Sequence, residues 1–160
     1  MEEGRPSQFS QGELDALAKA SIIYIATVRK DGTQSRAAPI WFTITSDHRI
    51  LIQSGPDTWQ VRRIRRGSSV IIWIGRRHGL AFIGRAELTS DPMVVEQIIK
   101  DYPKKYWMAW LGLHRPTKSN FEQGERLAIK IMPIEALPQG FISQPGAPAP
   151  NLAGVPVNLR

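Results

Sequence analysis

Ala26-Thr27-Val28-Arg29-Lys30-Asp31-Gly32 and, a little further on, Ala38-Pro39-Ile40-Trp41-Phe42 decide the reading of this 160-residue chain. The first stretch ends a run, residues 22–29, rich in β-branched and aromatic side chains, which predicts a strand. Asp31-Gly32 is a turn signal, because glycine takes positive φ without steric cost. Residues 33–45 then return as one long strand containing Pro39. Proline cannot donate to a ladder, so Pro39 marks an edge or a bulge. Ser46-Asp47-His48 makes the next turn, and residues 49–54 the third strand. Residues 69–75 and 80–89 are two more, joined through Arg76-Arg77-His78-Gly79. Residues 126–132 alternate Leu127, Ile129 and Ile131 with Ala128 and Lys130, the period of a last strand. The short turns after Arg29, Thr45 and Gly75 favour antiparallel neighbours. About six mostly antiparallel strands with helices inserted between them predict a mainly β protein, a β-barrel.

The helices announce themselves by caps. Ser10-Gln11-Gly12-Glu13 is a capping box, with Leu14, Leu17 and Ala18 as the apolar stripe behind it. Asp57 or Thr58 caps a short helix over residues 59–66, where Val61 and Ile64 sit among Arg62, Arg63, Arg65 and Arg66. Asp91 caps a third helix with Pro92 in its first turn. Val94, Val95, Ile98 and Ile99 form its buried face, and Tyr102-Pro103 is expected to stop it. Residues 104–113 are expected to be helical again, with Tyr106, Trp107 and Trp110 in the core or a dimer contact. Residues 115–124 read as a polar loop. The domain spans residues 1–142. The tail, residues 143–160, carries Pro145, Pro148, Pro150 and Pro156 with Gly146 and Gly154, so it is either disordered or laid over a surface. There is no internal repeat.

Twenty-one Lys and Arg against 14 Asp and Glu give a net charge of +7. Such a balance suits an anionic partner without choosing among nucleic acid, membrane surface and phosphorylated small molecule. The aromatics sit mostly in apolar strands or in residues 102–110, apart from the arginine cluster, which argues against nucleic acid. No cysteine is present, which excludes disulfides, thiol catalysis and cysteine metal sites and fits a reducing cytoplasm. The polar start, Met1-Glu2-Glu3-Gly4-Arg5-Pro6, does not read as a signal peptide. No apolar run approaches the roughly 18–20 residues of a membrane span. His48, His78 and His114 lack metal-ligand spacing, so no metal site is expected. Asp31 and Asp47 are turn residues. No nucleophile elbow, Rossmann fingerprint or P-loop is present, and no catalytic residue can be named.

The order of these pieces resembles the flavin-binding split barrels related to pyridoxamine 5'-phosphate oxidase, including their deazaflavin-dependent members. The resemblance runs from about residue 13 to residue 141. It implies a homodimer of split barrels with the cofactor in a groove between them. Arg36 and Pro39-Ile40-Trp41 match the strand that faces the isoalloxazine. Gln53-Ser54 matches the polar pair under the ribityl-phosphate. Thr58-Trp59-Gln60-Val61-Arg62-Arg63 aligns with the phosphate-binding helix, with Gln60 at the usual lysine position and Arg62 or Arg63 compensating. Gly84-Arg85-Ala86-Glu87-Leu88 looks like the family's Gly-x-Ala-Glu strand, and Lys130-Ile131-Met132-Pro133 like its final strand. The candidate cofactor-binding residues are therefore Arg36, Pro39, Ile40, Trp41, Gln53, Ser54, Thr58, Trp59, Gln60, Arg62 and Arg63.

The implied cofactor is FMN, with the deazaflavin coenzyme F-420 as the alternative. The implied activity is hydride transfer to or from a small organic substrate. The alternative is a split-barrel module that holds flavin or haem without turnover. The residues agree physically: arginine forks suit phosphate, free helix N–H groups attract anions, and a flat redox ring needs backbone donors and apolar walls. In such proteins the cofactor carries the chemistry and the chain orients it.

Overall fold

The computed structural model describes residues 8–106 and 117–150. Its elements, in chain order, are α1 (Gln11–Lys19), β1 (Ile23–Thr27), β2 (Ala38–Ile40), β3 (Thr43–Ile44), β4 (Ile50–Ser54), α2 (Trp59–Arg65), β5 (Val70–Ile74), β6 (Ala81–Thr89), α3 (Pro92–Lys105), α4 (Lys118–Glu122) and β7 (Leu127–Ala136). The strands form one curled antiparallel sheet in the order β2-β1-β5-β6-β7-β4-β3. The protein is thus mainly β, a split barrel with inserted helices.

The long strand expected over residues 33–45 is two strands, so the sheet has seven. The run divides at Trp41-Phe42. Before the break, β2 pairs with β1 through Tyr24↔Pro39. After it, β3 pairs with β4 through Thr43↔Leu51. These are opposite ends of the sheet, so the chain crosses the mouth of the curl where it breaks. Pro39 sits on an edge strand, where its missing N–H costs nothing.

Strand alternation separates two of the apolar clusters; a third, smaller one gathers Ala26, Ala37, Ile71, Trp73 and Ala81. Ile50 and Ile52 of β4 and Ile129 and Ile131 of β7 face the inside of the curl, with Ile23, Ile25, Phe42, Val61, Ile72 and Phe82. Leu51 and Ala128 face outward and are covered by Val94, Val95, Ile98, Tyr102 and Tyr106. The β6–β7 contact requires a glycine. A Cβ on Gly84 would lie 2.9 Å from Ile131 Cγ2 and 3.0 Å from Met132 O. The register shifts between Ile83 and Gly84, with Gly84 opposite Pro133.

The capping box closes as expected: Glu13 N donates to Ser10 Oγ at 3.1 Å and Ser10 N to Glu13 Oε1 at 2.9 Å. Asp91 caps α3 through Met93 N. Three expectations are corrected. First, Tyr102-Pro103 does not stop α3, which continues to Lys105; Tyr102 and Tyr106 lie four apart, and their anchoring to the strands holds the last turn despite the missing N–H of Pro103. Second, Lys104 and Lys105 therefore belong to α3, Tyr106 is its extended C-cap, and the rest of the expected 104–113 helix, with Trp107 and Trp110, lies outside the described residues. Third, the polar loop holds a helical turn, α4, closed by a capping box between Thr117 and Asn120. The start of the tail lies on the surface. Gln34 N donates to Ala147 O at 2.8 Å, Gln34 Nε2 to Pro148 O at 3.1 Å, and Ala149 N to Gly32 O at 2.9 Å.

Candidate functional site: a cleft at the broken strand

Interrupting a strand at Trp41-Phe42 strands backbone polar groups, which must find other partners when buried. The end of α3 supplies them. Tyr102 Oη donates to Trp41 O at 2.9 Å. Phe42 N donates to Tyr106 Oη at 2.9 Å, and that hydroxyl lies 3.0 Å from Phe42 O and 2.7 Å from Ser21 O. Lys105 Nζ donates to Phe42 O at 3.0 Å and sits 3.2 Å from the centroid of the Phe42 ring. The Trp41 ring stacks on Tyr106 at 4.2 Å and 3° between planes, and meets Tyr102 edge-on at 6.1 Å. Burial raises the Tyr102 hydroxyl well above its ordinary value, with Tyr106 adding to the effect, and raises Tyr106 to about 12. Burial lowers the Lys105 ammonium to about 8.

This arrangement leaves a cleft of about 550 Å³ lined by Pro39, Ile40, Trp41, Gln53, Tyr102 and Arg126. The β4–β7 register pairs Gln53 with Ala128, so Gln53 and Arg126 project from one face of the sheet. Gln53 Oε1 is buried and, among the described residues, accepts no hydrogen bond. Among the described residues the Arg126 guanidinium has no side-chain partner, and it is the one charged group lining this cleft.

The other candidate residues lie elsewhere. Thr58 caps α2, its Oγ1 accepting from Val61 N at 3.2 Å and lying 3.1 Å from Ser54 Oγ. Ser54 is thereby committed to the cap while its neighbour Gln53 faces the cleft. Arg63 Nη1 donates to Thr27 Oγ1 at 3.3 Å, and Arg66 Nη2 to Val28 O at 2.9 Å. Burial lowers the Arg63 pKa, and repulsion from Arg29 and Arg66 lowers it further. Trp59 is 63% exposed, with the Arg62 and Arg63 guanidinium carbons each 5.1 Å from its ring centroid. Gln60 is half-buried in the first turn of α2, and Arg36 is exposed. Ser35, just before Arg36, accepts from Thr27 N at 2.8 Å, which ties the approach to β2 to the end of β1 where Arg63 binds.

Of the eleven candidates, the structure therefore gathers Pro39, Ile40, Trp41 and Gln53 in one cleft. It places Arg63 in a separate basic group at the end of β1. Sequence reasoning missed Tyr102 and Arg126 as cleft residues. The four-residue spacing of Tyr102 and Tyr106 was a legible signal for the first. Arg126 joins the cleft only through strand register, which its own sequence neighbourhood does not display.

Among the described residues, no helix is long and apolar enough to cross a membrane. No curated protein sequence matches the chain. Solved structures share the fold. A conserved hypothetical protein of Mycobacterium tuberculosis, Rv2991, is 16% identical with a TM-score of 0.59, covering 89% of this chain and 98% of that one. A protein described as an F420 reductase is 19% identical with a TM-score of 0.57, covering 81% and 98%. HupZ of Group A Streptococcus is 18% identical with a TM-score of 0.54, covering 86% and 100%. The sequence profile described as pyridoxamine 5'-phosphate oxidase matches residues 11–138, which takes in every strand of the sheet. The chain belongs to the pyridoxamine 5'-phosphate oxidase family.

Proposed function

We propose that this protein is a flavin- or deazaflavin-dependent oxidoreductase that passes a hydride to or from a small organic substrate. The observation that carries the reading is the buried, unpartnered Gln53 Oε1 in a cleft walled by Pro39, Ile40 and Trp41. An orphaned buried acceptor costs roughly 1–3 kcal/mol unless a ligand satisfies it. The imide N–H of a flavin-type ring is such a donor, and the apolar wall suits the ring's faces. When bound, that ring supplies the hydride chemistry.

The chain's own part is binding and orientation. Gln53 reads the polar edge of the ring, and the Pro39–Trp41 segment sets its plane. Tyr102 and Tyr106 hold that segment in place. Arg63, with Arg36 and Arg62 from the neighbouring loop and helix, takes the cofactor's phosphate, and Gln60 and Thr58 line its approach. The cofactor is FMN or the deazaflavin coenzyme F-420. The protein works as a homodimer in the cytoplasm, the second copy completing the groove along the β2 edge. The tail beyond residue 142 is an appendage to the single domain.

The cleft lining also suits a second reading, a module that holds its cofactor without turnover. Among the described residues, the ionisable groups that line the cleft are Arg126 and Tyr102, and burial raises the tyrosine's pKa well above its ordinary value, away from the neutral range that suits a general acid or base. The test is a visible absorption spectrum of the purified protein with mass identification of the released ligand. Titration with FMN and with F-420 follows, then reduction assays. Binding of one flavin-type cofactor, lost in Gln53→Leu, supports the site. A folded protein that binds neither sinks the oxidoreductase reading, haem as the released ligand leaves the module, and so does flavin-type cofactor bound without reduction.

A further inference from the structure

A second cleft, of about 310 Å³, opens beside the first between the end of β6, the start of α3, and α4. Its apolar walls are Val95, Phe121, Leu127 and Ala128. Its charged groups are Glu96, Glu122, Lys118 and Arg126. Arg126 also lines the Trp41 cleft, so this residue stands at the junction of the two.

We propose that Arg126 is the recognition residue for an organic anion, a carboxylate on an apolar body. The carboxylate meets the guanidinium at the junction, and the body lies against Phe121 and Val95 in the second cleft.

Two observations and the chemistry of arginine converge. Among the described residues Arg126 has no hydrogen-bond or ion-pair partner for its side chain, although its backbone is fixed by Arg126 N donating to Asn120 O at 3.2 Å. The arginine fork is built for carboxylate geometry and loses little on binding one. Charge settles the orientation. In the second cleft Lys118 and Arg126 balance Glu96 and Glu122, so that end draws neither sign. Among the described residues that line the Trp41 cleft, Arg126 is the one charge, beside neutral Gln53 and aromatic walls. An anionic group therefore gains at the junction, and the uncharged body belongs in the outer cleft. The identification of this ligand as the substrate rests on the cofactor reading above, because the junction places the carboxylate end beside the ring-facing wall. The anion site itself does not depend on that reading.

The test uses the full chain and two probes of one shape, naphthoate and neutral naphthamide, titrated by calorimetry. Naphthoate should bind the wild type roughly tenfold or more tightly than naphthamide, the usual scale for a charge-assisted hydrogen bond. Arg126→Met should erase that difference and leave naphthamide unchanged. Its exposed, unpartnered side chain makes this variant safe for folding. Phe121→Ala should weaken both probes, and Arg63→Ala neither. The proposal is overturned if Arg126→Met binds naphthoate as the wild type does. It is equally overturned if Arg63→Ala alone removes binding, or if naphthoate fails to bind at millimolar concentration. FMN and F-420 are titrated separately into the same wild-type protein. Arg126-dependent naphthoate binding without cofactor binding keeps the anion site and removes the oxidoreductase reading; the reverse result removes the anion site alone.

Discussion

The Trp41 cleft and the arginine group at the end of β1 are held by different means. At the cleft, side chains repair a broken strand. Tyr102, Lys105 and Tyr106 take over the backbone groups of Trp41 and Phe42, and the rings stack as they do so. At the basic group, guanidinium ions hold one another apart and are tethered singly, Arg63 to Thr27 and Arg66 to Val28. One region is over-determined, with geometry set before any ligand arrives. The other stores unneutralised charge. On the proposed reading, a flat ring takes the first kind of surface and a phosphate the second.

The sharpest way to break this contrast is to compare two tryptophans. Trp41 is half-buried and stacked between α3 and the break, whereas Trp59 is 63% exposed on α2. Trp41→Ala should destabilise the fold by about 3 kcal/mol, toward the lower end for a large aromatic removed from packing. Trp59→Ala should cost under about 0.5 kcal/mol, the usual range for an exposed substitution. Urea denaturation of both variants checks this. Equal losses would mean that the cleft is no better determined than the surface helix.

Next comes the hydroxyl of Tyr106. It accepts from Phe42 N at 2.9 Å in a buried setting. Tyr106→Phe keeps the stacked ring but leaves that N–H without a partner, at a cost of roughly 1–3 kcal/mol. Faster amide exchange at Phe42 than in the wild type would trace the loss to that group. Unchanged stability and exchange would show that the hydroxyl does not support the break.

The two arginines sharpen the other side of the comparison. If phosphate binds the basic group, Arg63→Ala should weaken FMN or F-420 binding roughly tenfold, the loss of one charge-assisted hydrogen bond. Arg62→Ala should do less, since Arg62 is exposed and its guanidinium lies over the Trp59 ring. Cofactor titration of folded variants decides it. Equal effects would move the phosphate outward onto the α2 face, and no effect from either would remove both residues from the site.

The strands were legible because β-branched alternation and Asp-Gly signals are local, and so were the caps at Ser10 and Asp91. The break at Trp41-Phe42 was not. Residues 33–45 carry a continuous strand pattern, and only the competition between β1 and β4 for its two halves divides it. Pro103 misled for a related reason: proline disfavours a helix locally, but the anchoring of Tyr102 and Tyr106 outweighs that cost. In the site, Pro39, Ile40 and Trp41 were readable as a run. Gln53 was readable, but its commitment to the cleft and Ser54's commitment to the α2 cap follow from side-chain alternation along β4. Arg126 required the β4–β7 register, a contact between residues more than seventy positions apart.

The smallest effect concerns pH and again separates the two regions. Burial lowers Lys105 from 10.5 to about 8. Between those values the unfolded chain holds a proton on this lysine that the folded chain has released, so stability should rise with pH across that window. Below pH 8 both states are protonated and the penalty is constant. Much of the Lys105 side chain reaches solvent, and its contacts with the Phe42 carbonyl and ring favour the charged form. The gain should therefore be small, below about 1 kcal/mol. Tyr106 acts in the opposite sense: its folded value of about 12 exceeds the ordinary 10.0, so the unfolded chain gives up that proton first and stability falls as pH rises above 10. The cleft should thus produce a shallow stability maximum near pH 10, with its rising limb owed to Lys105. Denaturant midpoints measured from about pH 7 to 11 would trace it. Lys105→Met should flatten the rise while leaving the fall, and Arg63→Ala should alter neither limb. A rise that persists in Lys105→Met would take the lysine out of the account and with it the claim that its ammonium is held against the break.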